Sequence, residues 1–258
     1  MEITAAIRKK VKSLSSAKKR REYGLFVAEG TKCVLDTLPY FRCYMLAATS
    51  QWLEKNADRT AGLDVAVATR ADMERMSHMS EPPSVLAVYH IPPSAPVDIT
   101  ALASQLTVAL DCIQDPGNLG TIMRVADWMG VHTILASPDT ADVYNPKTVQ
   151  ATMGSIARVR VHYLLLPDIL RTMARNAVPV YGTMLDRTAC NIYTFTPQQN
   201  AVLVMGNEGR GLSPEVSACV TRKIYIPPYP ADAQTTESLN VAVATSIALA
   251  QIRQHTYI

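Results

Sequence analysis

The stretch Ala201-Val202-Leu203-Val204-Met205-Gly206-Asn207-Glu208-Gly209-Arg210-Gly211 joins five unbroken apolar residues to a polar turn holding three glycines. Apolar residues without alternation predict a strand buried on both faces, as in a parallel sheet covered by helices. The glycines let backbone N–H groups face a ligand at the carboxyl end of that strand, where open parallel sheets keep their sites. Outward from this stretch the same pattern repeats. Thr107-Val108-Ala109-Leu110 and Thr133-Ile134-Leu135-Ala136 are further apolar runs, and strands are predicted over 158–163, 178–182 and 223–226. Helical patterns fall between them, over 118–129 and in a closing helix over 239–254. Strands alternating with helices predict a mostly parallel α/β sheet with crossovers.

The front of the chain is a smaller version of the same alternation. Strand-like runs at 25–27, 44–48, 65–67 and 85–89 alternate with helical stretches at 31–38, 51–56 and 71–78. This predicts a small α/β domain. Pro82, Pro83, Pro92, Pro93 and Pro96 crowd its end, and adjacent prolines oppose helix and remove ladder donors. The expected division is residues 1–92, a linker over 93–104, and residues 105–258.

Across 258 residues, 48% are apolar and 18% charged, enough to bury a sizeable core and to exclude wholesale disorder. The apolar runs fall well short of the roughly 18 residues that cross a bilayer, so no membrane partner is expected. The basic N-terminus lacks an apolar core of the secretory type. Cys33, Cys43, Cys112, Cys190 and Cys219 are scattered and odd in number, with no CxxC pair. They predict reduced thiols in a cytoplasmic protein and no disulfide frame or zinc site. His78, His90, His132, His162 and His255 show no metal-ligand spacing, so no metal is expected.

Net charge is +3, unevenly spread. Residues 1–24 carry eight basic side chains against Glu2 and Glu22, a net of +6, and the other 234 residues sum to −3. A basic arm on a near-neutral body suits contact with a polyanion, most simply nucleic acid; a solvated terminus has the same composition.

Three polar turns are placed to carry chemistry. The first, Asp115-Pro116-Gly117-Asn118-Leu119-Gly120, leads to Arg124, and Asn118 reads as a helix cap. Arg124 follows it by six residues, about 1.7 turns, so the two do not share a face. The second is the glycine turn at 206–211. A dinucleotide site is its first alternative, but the spacing is G-x-x-G-x-G, not G-x-G-x-x-G, and Ile226-Pro227-Pro228 stands where a ribose-binding acid belongs. The third runs from Ile226-Pro227 to Glu237-Ser238-Leu239-Asn240, with Ser238 or Asn240 as candidate cap of the closing helix.

In order and spacing, N-x-G-x-x-x-R, then G-N-E-G-x-G, then I-P followed by S-L-N-V resembles the SpoU/TrmH-type RNA ribose methyltransferases of the SPOUT superfamily. The resemblance runs from about residue 105 to the end. Phe26-Val27-Ala28-Glu29-Gly30 and Ser84-Val85-Leu86-Ala87-Val88 also resemble strands of that family's ribosomal-protein-like substrate-binding domain.

The resemblance implies a C-terminal parallel-sheet SPOUT domain with a trefoil knot, preceded by the small α/β substrate-binding domain. It implies S-adenosyl-L-methionine as cofactor, with Gly206, Ile226 and Leu239 at the family's cofactor-contact positions. It implies a homodimer with the site at the dimer interface. Arg124 matches the residue assigned the activating role, and Asn118, Glu208, Ser238 and Asn240 match the supporting polar positions. A guanidinium with a pKa above about 12 is a poor base, so a clamp on the developing alkoxide or a neighbouring phosphate suits Arg124 better. The loop 228–237 is longer than the family's usual connection and borders the expected cofactor pocket. The implied activity is methylation of a ribose 2′-hydroxyl, with 23S ribosomal RNA favoured because transfer-RNA members typically lack this N-terminal domain. A tRNA ribose methyltransferase and a catalytically silent RNA-binding protein of the same fold are the alternatives; retention of Arg124, Glu208 and Asn240 argues against the second.

Overall fold

A computed structural model describes residues 2–186, 188–230, 236 and 238–254. The chain forms two compact units, one of residues 1–94 with 142–157, the other of 95–141 with 158–258. In chain order, the first 94 residues give α1 (Ala5–Ser13), α2 (Ala17–Tyr23), β1 (Leu25–Glu29), α3 (Thr31–Thr37), β2 (Cys43–Ala48), α4 (Ser50–Lys55), α5 (Ala57–Thr60), β3 (Val65–Val67), α6 (Arg70–Met76) and β4 (Val85–His90). The rest gives α7 (Ile99–Ala103), β5 (Thr107–Leu110), α8 (Pro116–Trp128), β6 (Thr133–Ala136), α9 (Pro146–Thr152), a short 3-10 turn at Ser155–Ala157, β7 (Arg160–Tyr163), α10 (Leu166–Arg175), β8 (Val180–Thr183), β9 (Cys190–Asn191), β10 (Val202–Met205), α11 (Pro214–Ser217), β11 (Arg222–Tyr225) and α12 (Val241–Arg253).

In the first unit the strands order β1-β4-β2-β3, with β4 antiparallel to both neighbours and β2 parallel to β3. Every residue of β1 is buried, which explains its unbroken apolar run. Leu25 and Val27 pack with Val11 and Leu14 of the N-terminal segment and with Met73 and Met76 of α6. On the other face Phe26 meets Phe41, Tyr89 and Tyr144 at ring separations of 4.8 to 5.4 Å. Tyr144 belongs to the 142–157 segment, so this unit is closed by residues that sit far along the chain.

The basic N-terminal segment is two helices, not an arm. Val11 and Leu14 anchor it, and several of its cations are spent on the fold. Arg20 is 2% exposed; its guanidinium donates to Asp142 at 2.6 and 3.1 Å and to the carbonyls of Leu14 and Ser15. Arg8 pairs with Asp72 at 2.7 Å, Lys19 with Glu22 at 2.8 Å, and Lys10 lies over the rings of Tyr23 and Tyr44.

The second unit holds a seven-stranded sheet in the order β7-β6-β5-β10-β8-β11-β9, with parallel pairing throughout. Its core joins Ala109, Leu135, Val180, Val202 and Val204 of the sheet to Leu166, Leu170 and Met173 of α10. Leu102 enters the same core from α7. The span 93–104 expected as a linker is therefore partly helical: Asp98, two residues past the last proline, caps α7 by accepting from Thr100 and Ala101 N–H. The prolines act only up to Pro96. Among the described residues no helix is long and apolar enough to cross a membrane, and no group of three or more His, Cys, Asp or Glu side chains is placed to hold a metal ion. The five cysteines are free.

Candidate active site

Strand order reverses at the centre of the second sheet. From β5 the chain steps outward through β6 to β7, while β10 lies on the opposite side of β5, beside β8. Such a switch point opens a crevice at the carboxyl ends of the strands, and all three polar turns emerge there. The crevice holds a cleft of about 480 Å3, within the usual range for small-molecule sites. Gly206, Glu208, Ile226, Ser238 and Leu239 all line it.

The glycine turn is built around Asn207. Its backbone N–H and C=O bridge to those of Gly211 at 3.0 and 2.9 Å, closing 207–211 into a tight loop. Its side-chain oxygen accepts from the N–H groups of Gly209 and Arg210 at 3.0 and 3.1 Å, and its amide nitrogen donates to the Cys112 carbonyl at 2.9 Å. Gly211 takes a left-handed φ of +70°, which the closure requires. Cys112 adopts φ +59°, unusual for a residue with a side chain. Both its backbone polar groups are held, the carbonyl by Asn207 and the N–H by Ser137 Oγ at 2.8 Å. The far end of the turn is tied down by buried Asp111, which accepts from Ser213 N–H at 2.7 Å. Asn207 and Asp111 shape the turn that borders the cleft, and neither was a site candidate from the sequence. Asn207 stood inside the G-N-E-G motif; nothing local in the sequence marks Asp111.

Asn118 is not the helix cap. Asp115 is: its carboxylate accepts from Asn118 N–H at 2.7 Å, and Pro116 starts the helix. Proline tolerates that first helical position, so α8 begins two residues earlier than its glycine and proline suggest. The Asn118 side chain is freed for another use. Its Nδ2 donates to Glu208 Oε1 at 2.7 Å, and its Oδ1 accepts from Asn240 Nδ2 at 3.0 Å. Asn240 caps α12, accepting from Ala242 and Val243 N–H at 2.9 and 3.3 Å. A directed chain of donors thus runs from the α12 N-terminus through Asn240 and Asn118 to the Glu208 carboxylate. Each bond polarises the next, and the chain ends on an anion, as the positive end of a helix dipole favours. The second Glu208 oxygen has no partner among the described residues, and Glu208 lines the cleft.

Beside this network, the Asp139 carboxyl is held below its ordinary range by hydrogen bonds from Ser137 and Cys112 and by Arg210. The Cys112 thiol is correspondingly pushed up, first by its bond to Asp139 and then by burial.

Arg124 stands apart. It is exposed on α8, does not line the cleft, and makes no ion pair or hydrogen bond with the described residues. The structure thus joins Asn118, Glu208 and Asn240 by hydrogen bonds and sets Gly206, Ile226, Ser238 and Leu239 around the same cleft, but brings Arg124 to neither. Of the long 228–237 loop, residues 231–235 and 237 lie outside the described residues.

Residues 105–250 match the family model described as the SpoU rRNA Methylase family. The chain belongs to the SpoU family. Residues 7–87 match the model of the MRM3-like substrate binding domain. A Bacillus subtilis relative, named a 23S rRNA (guanosine(2553)-2′-O)-methyltransferase, is 28% identical over 243 residues, covering 94% of each chain. The structure of an S-adenosylmethionine-bound rRNA methyltransferase from Sinorhizobium meliloti superposes with a TM-score of 0.84 at 31% identity, covering 99% of this chain and 98% of that one. A TrmH/SpoU tRNA modifying enzyme from A. aeolicus is also similar, at 25% identity and a TM-score of 0.52, but covers 62% of this SpoU chain and 84% of its own length.

Proposed function

We propose that this SpoU-family chain is an S-adenosylmethionine-dependent methyltransferase of a ribose 2′-hydroxyl in 23S ribosomal RNA. The observation that carries the proposal is the Asn118–Glu208–Asn240 network at the rim of a cleft lined by Gly206, Ile226, Ser238 and Leu239. The cleft chemistry suits the cofactor. Met205, Leu212, Ile224 and Leu239 offer apolar surface to an adenine or thioether. Ribosomal RNA is favoured over transfer RNA because the likeness extends over both units in the ribosomal enzyme and over only part of the chain in the transfer-RNA one.

When bound, the cofactor supplies a methyl group already activated by a sulfonium. The chain's own residues must orient a ribose hydroxyl toward it, since a 2′-OH is a weak nucleophile. Glu208, aimed by Asn118 and Asn240, accepts hydrogen bonds from the RNA at the cleft rim; Ser238 offers a further polar contact. Arg124 clamps the negative charge that builds on the hydroxyl oxygen as its proton passes to solvent water, or the neighbouring phosphate.

Three further features belong to this proposal. The protein is a cytoplasmic homodimer with its sites at the dimer interface, and its C-terminal segment is knotted as the family resemblance implies. Support for the dimer comes from the surface of α8 and α12. Trp128 is 85% exposed and Val243 49%, and a shallow hollow of about 470 Å3 between Trp128, Ile247 and Ala250 is mostly apolar. An interface over this face leaves Arg124, which no contact engages, available to a site completed by dimerisation. The third feature is domain use: residues 1–92 recognise RNA and 105–258 carry the chemistry.

Isothermal calorimetry tests the cofactor directly. S-adenosylhomocysteine is expected to bind and NAD is not, because the turn at 206–211 lacks dinucleotide spacing. Heat from NAD with none from S-adenosylhomocysteine overturns the proposal.

A further inference from the structure

The two helices α1 and α6 of the first unit lie side by side and leave a groove of about 540 Å3 between them. Arg8, Lys9, Lys12 and Arg75 line it, with Ala5 and Ser13 completing the floor. Two of these cations are fixed by the protein. Arg8 donates to Asp72 at 2.7 Å and to the Ile3 carbonyl at 3.1 Å, and Lys12 donates to the Ser77 carbonyl. The other two, Lys9 on one wall and Arg75 on the other, are exposed and make no ion pair or hydrogen bond with the described residues.

We infer that this groove is a binding site for the sugar–phosphate backbone of RNA, with Lys9 and Arg75 each taking a phosphate and Arg8 and Lys12 forming its fixed positive floor. Gathering four like charges in one concavity with a single carboxylate, Asp72, is unfavourable unless an anion is drawn in. Its cations come from two helices, so a chain of phosphates can meet both. Three of its cations, Arg8, Lys9 and Lys12, belong to the basic segment 1–24 read from the sequence, and Arg75 does not. The densest basic run, Lys18-Lys19-Arg20-Arg21, holds one arginine buried in the core and one lysine paired to Glu22. Arg75 lies far from that run and joins the groove only through the packing of α6 on α1. The inference rests on the proposal that the chain acts on RNA and deepens it by naming the contact surface.

The test is a salt titration of full-length protein against a fluorescent RNA hairpin, without cofactor. The wild type is compared with Lys9→Glu/Arg75→Glu and with a pair matched in charge, Lys18→Glu/Arg21→Glu. All four positions are exposed, so folding is expected to survive, and thermal unfolding of each variant followed by circular dichroism checks it. Each lost phosphate contact flattens the slope of log affinity against log salt by about 0.7 to 0.9. The groove pair is therefore expected to flatten it by about 1.4 to 1.8, more than the α2 pair does, with cofactor affinity unchanged. An unaltered slope, or a larger effect from the α2 pair, overturns the inference. So does preferential displacement of RNA by polyglutamate with no slope change, which would assign the groove to an acidic protein. Because the titration contains no cofactor, absence of cofactor binding in the wild type would sink the enzymatic proposal while leaving the groove result readable.

Discussion

A Cβ added at position 206 would stand 2.6 Å from the Gly211 carbonyl oxygen and from the Leu212 nitrogen, so glycine is demanded there by the loop's own closure. Gly206→Ala is expected to destabilise the protein by about 1–3 kcal/mol, the usual cost of forcing atoms into a packed site, and to weaken S-adenosylhomocysteine binding with it. If calorimetry shows weaker binding while the urea midpoint stays at the wild-type value, the glycine serves the ligand alone. Arg124 poses the opposite case, a residue that the fold does not use. A side chain that meets charge only in the transition state affects turnover and leaves cofactor affinity alone. Arg124→Ala is expected to slow single-turnover methyl transfer a hundredfold or more, the equivalent of about 2.7–4 kcal/mol. Arg124→Lys keeps the charge but loses the planar fork and is expected to recover little. Wild-type rates in both variants would remove Arg124 from the site.

At the scale of elements, the buried Glu29 at the end of β1 ties the sheet to the residues after α6. Burial pushes its carboxyl up, but hydrogen bonds from His78 and Ser77 outweigh burial and hold it below its ordinary 4.5. A carboxylate whose folded pKa is depressed stabilises the fold fully above the unfolded value and loses that contribution as pH falls through the folded one. Urea midpoints measured from neutrality downward are expected to drop below pH 4.5 in the wild type and less so in Glu29→Gln; parallel curves would contradict this assignment. The strands themselves were legible because unbroken apolar runs such as 107–110 and 202–205 are what burial on both faces requires. Asn240 was legible, together with Ser238, as a candidate cap, because a short polar side chain there precedes an apolar helix. The α1–α2 region was not, since eight cations mask the spaced apolar residues Val11 and Leu14, and only tertiary packing shows Arg20 turned inward. Nor was the return of 142–157 to the first unit, because its Tyr144 meets Phe26 across more than a hundred residues of chain. The Asn118–Glu208–Asn240 network was legible as three motifs in order, whereas the bonds of the Asn207 and Asp111 side chains to backbone groups about a hundred residues away, at Cys112 and Ser213, show in no local spacing.

The whole molecule brings these parts to one claim. α12 packs against α8 and β10, yet Trp128 and Val243 remain in solvent, and a two-fold partner would cover them. Light scattering at micromolar concentration is expected to give the dimer mass for the wild type and the monomer mass for Trp128→Glu, which places a charge in an apolar contact; a wild-type monomer would contradict the dimer. The claim that the SpoU-family chain methylates ribose is tested most directly by single-turnover transfer of a radiolabelled methyl group from S-adenosylmethionine to 23S ribosomal RNA, followed by alkaline hydrolysis. A methylated 2′-oxygen cannot attack the adjacent phosphate, so the label is expected in an alkali-resistant dinucleotide. Label recovered in mononucleotides, as methylation of a base would give, or no transfer at all, would contradict the account.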